Sequence, residues 1–365
     1  MTSNEVEQNF TPRWPALRAA VWCVLIAVGL AVWLPTLGGD TAARAWRGLL
    51  INFLFFAPLG AGLTVWSAIV LSSQGRWSGR LENLTLAGLA TAPLAVAMLI
   101  VLWIGSASWA PWATAKDLPQ GFWLNPTFVF GRDLAALVIF WSLAWAYARQ
   151  RLAGRGKVLG GWVIFVYVIA LSFVAYDLVA ALDVKWYSTL WGLYFAVTGV
   201  YSGVALWALL AAFVPGVERE KLHDLGKLMV AFSLLTTYMM FSQLLPIWYA
   251  NLPDEVRMPL ARMNFPAWRI VSTVLLATRY LGPLALLLTI RAKRTPWLLG
   301  AVAVLVLAST WVGRWWSVAP TFSHKIEFGG PEIGITLASL GAFALALDWY
   351  RWRMKAEIPQ GAAEA

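Results

Sequence analysis

Ten apolar runs separated by polar connections organise this sequence: residues 16–34, 48–71, 83–105, 130–149, 158–181, 188–213, 227–250, 267–290, 296–317 and 332–350. Each is close to the roughly 20 residues an α-helix needs to cross about 30 Å of hydrocarbon. The pattern predicts an all-α transmembrane protein of ten spans, with both ends on one side. The first run continues beyond the apolar core of about 7–15 residues expected of a secretory signal, and Pro35 ends it, so it reads as a retained span. A polar segment, 1–15, precedes the membrane domain at 16–350, and a polar tail, 351–365, follows it.

Composition agrees with that class. The chain is 60% hydrophobic and only 13% charged, against about a quarter charged for a soluble average. Its 28 basic and 18 acidic residues leave a charge of +10. The cations lie between the apolar runs, where they would anchor to anionic lipid, so the charge does not imply nucleic acid. Most of them fall in the connections on the side of the termini, among them Arg149, Arg151, Arg155, Arg219, Lys221, Arg291, Lys293 and Arg294. The positive-inside rule then makes both termini cytoplasmic. The longer connections, 106–129, 251–266 and 318–331, would cover the extracytoplasmic face, where a partner can dock.

Redox metal on this chain is disfavoured. Iron-sulfur clusters require several thiolates and a buried haem requires axial ligands, whereas the chain has one Cys, Cys23, and two His, His223 and His324, both outside the apolar cores. Cys23, inside an apolar helix, is expected to be a small buried hydrophobe.

Polar groups at membrane depth carry the candidate chemistry. Asp177 lies about one turn inside its span, and an intramembrane carboxylate is costly enough to be a functional candidate, or else pairs with a neighbouring helix. Arg279, near the centre of the eighth span, should face an acid, carbonyls or water. The two differ in depth by roughly 10 Å, so a water or Tyr bridge is favoured over a direct pair. Gly282-Pro283 follows, and Pro frees a carbonyl and bends or breaks the helix. Tyr194, Thr198, Tyr201 and Ser202 share one helical face, and Ser233, Thr236, Thr237 and Gln243 form a similar stripe. Such faces either hold a water wire for protons or simply let helices pack closely. Near the cytoplasmic surface, Arg80, Glu82, Asp224 and Lys227 are expected as solvated interface pairs rather than a gate.

The run Met240-Phe241-Ser242-Gln243-Leu244-Leu245-Pro246-Ile247-Trp248-Tyr249-Ala250-Asn251-Leu252-Pro253-Asp254-Glu255 leaves the membrane through Trp248 and Tyr249, side chains that favour the headgroup level. Ser242 and Gln243, just beneath, should face protein. A quinone site requires an apolar slot and two polar groups at the ring, and Asp177, Trp186, Gln243 and Tyr249, with Trp248 at the interface, all map to the extracytoplasmic side.

That run, together with Ser172-Phe173-Val174-Ala175-Tyr176-Asp177 and Leu182-Asp183-Val184-Lys185-Trp186-Tyr187-Ser188-Thr189, resembles the NrfD/PsrC-like integral membrane subunits. The likeness is nearest to the ActF-type subunit of alternative complex III, and it covers roughly residues 45 to 320. It implies two four-helix bundles, spans two to five (about 48–181) and six to nine (about 188–317), flanked by the outer spans. It also implies a bacterial cytoplasmic membrane location and a role in a quinol:cytochrome c oxidoreductase, in quinone binding or proton conduction, with no redox metal of its own. No cofactor would be covalently bound; the quinone would be menaquinone or ubiquinone. Expected partners are a homologous membrane subunit, an iron-sulfur/molybdopterin-like subunit, and multihaem and monohaem cytochrome c subunits, all in lipid. Two departures stand out: Val184 replaces a usual Pro, and Val312-Gly313-Arg314-Trp315-Trp316-Ser317-Val318-Ala319-Pro320 lacks an expected acid. A secondary transporter working alone and a purely structural anchor subunit are the alternative readings.

Overall fold

The computed structural model describes residues 16–115, 118 and 120–357. The N-terminal segment 1–15 and the tail from 358 onward lie outside the described residues, as do the side chains of Arg80 and of residues 354–357, so the pairing expected for Arg80 is not addressed. All regular structure among the described residues is helical. In order, α1 is Ala16–Trp33 and α2 Ala42–Ser72; a 3₁₀ stretch, Gly79–Thr91, runs into α3, Ala92–Ile104. Then follow α4, Pro126–Leu152; α5, Lys157–Leu178; α6, Trp191–Ala212; and α7, Arg219–Ala250. The remainder is α8, Pro253–Met263; α9, Pro266–Leu275; α10, Gly282–Leu286; α11, Ile290–Arg294; α12, Pro296–Val318; and α13, Gly330–Glu357.

Among the described residues, nine of the expected spans are continuous helical stretches long and apolar enough to cross a membrane. The run at 267–290 is different. It breaks into α9, a π-helical turn at Leu276–Leu281, and the short α10. Pro283 has no N–H to return to the carbonyl of Arg279 four residues earlier, so the α-helical ladder fails there. The Tyr201 hydroxyl donates to that carbonyl instead, at 3.1 Å. Local chemistry thus opens the helix, and a neighbouring helix satisfies the opening.

Two helices form the centre. α2 is buried along almost its whole length, and α6 along most of its own, because both are apolar all round and are surrounded by other helices. They approach through glycine: a Cβ on Gly62 would lie 2.1 Å from the Gly199 carbonyl oxygen, and one on Gly203 would lie 2.4 Å from the Gly62 carbonyl carbon. Small residues at a crossing let two backbones touch, the usual device of membrane helices. The Trp66 indole closes the contact by donating to the Val200 carbonyl at 2.9 Å.

Around this pair, α5 packs on α2, α4 and α6, and α3 on α2 and α4, while α7 and α12 flank α6. α1 and α13 lie against each other, and α13 rests on α2. Gly29 sets their spacing, since a Cβ there would lie 2.4 Å from the Ala338 nitrogen. The Trp22 indole donates to Asp348 at 2.8 Å across the same contact. Only Gly29 and Trp33 of α1 are buried, which corrects the expectation for Cys23: its thiol faces outward. α1 meets its neighbours along one narrow stripe, and Cys23 lies off it.

Candidate functional site

Asn125 starts α4 by accepting from the backbone N–H groups of Thr127 and Phe128, with Pro126 at the first helical position. This fixed start places Arg132 and Asp133 in the second turn. Arg132 donates to Asp177 Oδ2 of α5 through Nε at 3.0 Å and Nη2 at 2.5 Å. The Trp123 indole donates to the other oxygen at 3.2 Å, and its ring lies under the Arg132 guanidinium at 3.8 Å. Asp177 is therefore an ion-paired carboxylate. Its partner is Arg132, and Arg279 is not among its contacts.

Asp133 was not a sequence candidate, yet it is the group left over. It is fully buried beside Asp177, and among the described residues no protein donor reaches either of its carboxyl oxygens. The signal was present, since Arg132-Asp133 is a charged pair at the edge of an apolar run, but Asp177 alone looked like the isolated carboxylate.

At the other end of α4, Arg151 holds Glu82 through two contacts, at 2.9 and 3.1 Å. Ser67 of α2 donates to the same carboxylate at 2.7 Å and stands 3.0 Å from the Tyr147 hydroxyl. Glu82 is buried, which corrects its expected place in a solvated pair. Asp224 and Lys227 do form an exposed pair, one turn apart on α7.

A second cluster gathers on α6, the π turn and α12. The hydroxyls of Tyr194 and Tyr280 lie 2.5 Å apart, and Arg314 donates to the Thr198 hydroxyl at 2.8 Å. Arg279 is buried among the phenols of Tyr194, Tyr201 and Tyr280, and its guanidinium lies 5.5 Å from the Tyr280 ring centre. Of the α6 stripe, the structure sets Tyr194 and Tyr201 near Arg279 and Thr198 on Arg314, and Tyr280 joins them. The remaining hydroxyls turn inward. Ser202 donates to Gly199, Ser233 to Val230, Thr236 to Phe232, and Thr237 to Ser233, all backbone carbonyls of their own helices. Hydroxyls bonded in this way line a packed face.

A cavity of about 340 Å³ opens beyond the ends of α5 and α12, with Asp183, Trp186, Trp191, Arg257, Arg262 and His324 on its wall. Asp183 pairs with Arg257 at 3.1 Å. The buried Arg262 donates to the carbonyls of Trp316, Met258 and Ser317, which ties α8 to the end of α12. The indole N–H groups of Trp186 and Trp191 are buried without a partner, and their rings meet edge to face at 5.3 Å. Trp191 in turn lies 5.6 Å from the Tyr194 ring, so the cavity adjoins the Arg279 cluster. Outside the membrane-spanning segments, the charge of Glu255 holds the exposed Tyr187 phenol above its ordinary value.

Of the residues considered for a quinone head, only Trp186 lines this cavity. Asp177 belongs to the α4–α5 cluster, Gln243 is buried with its amide oxygen unpartnered, and Trp248 and Tyr249 point outward at 76% and 85% exposure. α7 ends beside them, with Asn251 in the left-handed conformation that commonly stops a helix. Among the described residues, no three His, Cys, Asp or Glu side chains converge as metal ligands.

Compared with models of known protein families and with curated protein sequences, the chain gives no match.

Proposed function

We propose that this chain is an integral membrane subunit of a quinol:electron-acceptor oxidoreductase of the NrfD/PsrC-like kind, nearest to the ActF-type subunit of alternative complex III. In this reading it handles protons and leaves electrons to iron-sulfur and haem-bearing partners. The broken segment Pro266–Leu286 would serve as a tenth crossing, both termini would face the cytoplasm, and the helices would divide into α2–α5 and α6–α12 groups. The observation that carries the proposal is Asp133. A fully buried carboxyl that no protein donor meets, beside a second carboxyl neutralised by Arg132, is a group built to take up and release one proton. Oxidation of a quinol releases two electrons and two protons, and the protons require an acceptor.

The residues at the cavity suit a quinol as substrate. Trp186 and Trp191 offer indole N–H donors to ring oxygens, and Trp191 leads on to Tyr194 and Tyr280. The test is gentle purification of the tagged chain from its native membrane, with mass spectrometry and an optical spectrum of what accompanies it. Iron-sulfur and multihaem partners in the eluate, and proton release reduced by Asp133→Asn in that complex, are the expected results.

One observation favours a second reading, a secondary transporter working alone. A span broken at a buried charge beside a Gly-Pro pair is a common device for substrate sites at mid-membrane. A chain recovered alone, colourless and monodisperse, would favour that reading over the first.

A further inference from the structure

The Arg279 cluster contains an imbalance that neither reading explains. Arg279 and Arg314 are buried to 3% and 4% exposure, and among the described residues neither has an ion pair with a carboxylate. Their neighbours are the phenols of Tyr194, Tyr201 and Tyr280, the Thr198 hydroxyl and the ring of Phe195, which lies 3.8 Å beneath Arg314. The two guanidiniums feel each other's charge. Like charges brought together where water is excluded repel strongly, and a buried cation normally requires a counter-charge.

Donors left over in the cluster indicate what would supply it. Arg279 Nε and Nη2, Arg314 Nε and the Thr310 hydroxyl are all buried without a partner. Thr310 lies one turn before Arg314, on the same face of α12. Gly313, between them, admits the other guanidinium, since a Cβ there would lie 2.5 Å from Arg279 Nη1. Three guanidinium nitrogens with N–H groups to donate and a hydroxyl, around two positive charges, make a donor-lined site for something negative.

We propose that Arg279, Arg314 and Thr310 bind a small monovalent anion of halide size, held between the π turn and α12. Enclosure favours a small ion: both guanidiniums are shut off from the surface, and an oxyanion carrying two charges would require more donors than the site offers. A bound halide would leave a single net positive charge among neutral phenols and give the unpartnered N–H groups a partner. This site is separate from Asp133 and does not depend on the redox reading.

The experiment follows thermal unfolding of the purified full-length chain, with whatever partners accompany it, by intrinsic Trp fluorescence. Sodium chloride or bromide is compared with sodium gluconate at equal ionic strength. The expected result is a midpoint that rises by several degrees with halide, saturably. The rise should be lost in Arg314→Gln and Arg279→Gln, and its half-saturation should move several-fold higher in Thr310→Val and Gly313→Ala, which keep both charges if the Arg variants do not fold. Bromide soaked into crystals should give an anomalous peak between the two guanidiniums. Equal midpoints in chloride and gluconate would overturn the proposal, leaving a Tyr194–Tyr280 phenolate as the source of counter-charge. A halide effect that survives in Arg314→Gln and Thr310→Val alike, or a co-purified fatty-acid carboxylate with no bromide peak, would overturn it as well.

Discussion

The Tyr201 hydroxyl donates to the Arg279 carbonyl at 3.1 Å, and that carbonyl is available because Pro283 has no N–H to offer it. The bond joins α6 to the broken segment at the point where the break begins. Tyr201→Phe should therefore leave a buried carbonyl unsatisfied and lower stability by about 1–3 kcal/mol. In a Pro283→Ala background the new N–H can take over the carbonyl, so the same substitution should be nearly neutral there. A double-mutant cycle in thermal unfolding checks this, and equal losses in the two backgrounds would show that Tyr201 acts by packing alone.

Arg132 and Arg151 stand near opposite ends of α4, roughly 28 Å apart at 1.5 Å per residue, close to the thickness of the hydrocarbon. Each meets a carboxylate on a neighbouring element. Removing one partner of the Arg151–Glu82 pair strands a charge. Arg151→Met should lower stability by about 1–3 kcal/mol, less than the range for a fully buried pair, because the Arg151 side chain keeps 31% of its surface exposed. Arg151→Met with Glu82→Gln should recover much of that loss, since no charge is then left alone. A lower unfolding midpoint in the double variant than in the single one would contradict this.

Much of the fold was legible because apolar runs of span length report helices directly, and the end of α7 could be read from Trp248, Tyr249 and Asn251. In the eighth span Gly282-Pro283 marked the interruption in advance, but not its form, a π turn between two short helices. Hydropathy averages over a window and cannot register a π turn. For the site, helical spacing placed Tyr194, Thr198 and Tyr201 on one face, since one face of one helix is a local property, but did not say which cations that face meets. Pairings between helices were another matter. Asp177 found Arg132 on α4, and Arg279 found Arg314 on α12, because partners across a bundle depend on rotations that a single sequence does not encode in any short pattern. Asp133 was hidden for the same reason: its importance lies in being a second buried carboxyl beside Asp177 that no described donor meets, which only the assembled structure reveals.

The α1–α13 contact rests on the absence of a side chain. Gly29→Val would place a Cβ 2.4 Å from the Ala338 nitrogen, a backbone atom that cannot step aside. Overpacking of this kind costs about 1–3 kcal/mol, here by driving α1 away from α13. Gly161→Ala, with nothing within 4 Å of its Cβ, is the matched control. The expected outcome is a lowered unfolding midpoint for Gly29→Val and an unchanged or slightly raised one for Gly161→Ala.

Asp133 and Asp177 should respond differently to the same change. Asp177→Asn takes the negative charge from beneath Arg132, whose side chain is 10% exposed, and leaves a nearly buried cation. That variant should lose stability by about 3–5 kcal/mol and assemble poorly. Asp133→Asn removes no ion pair and nearly preserves shape, so its unfolding midpoint should stay within a degree or two of the parent. If Asp133 exchanges a proton during turnover, the same variant must lose proton release, because an amide cannot take up the proton. Stability and proton release measured on both variants therefore separate structure from chemistry: a stable Asp133→Asn with normal proton release would assign Asp133 to packing and remove the observation on which the proton-handling role rests.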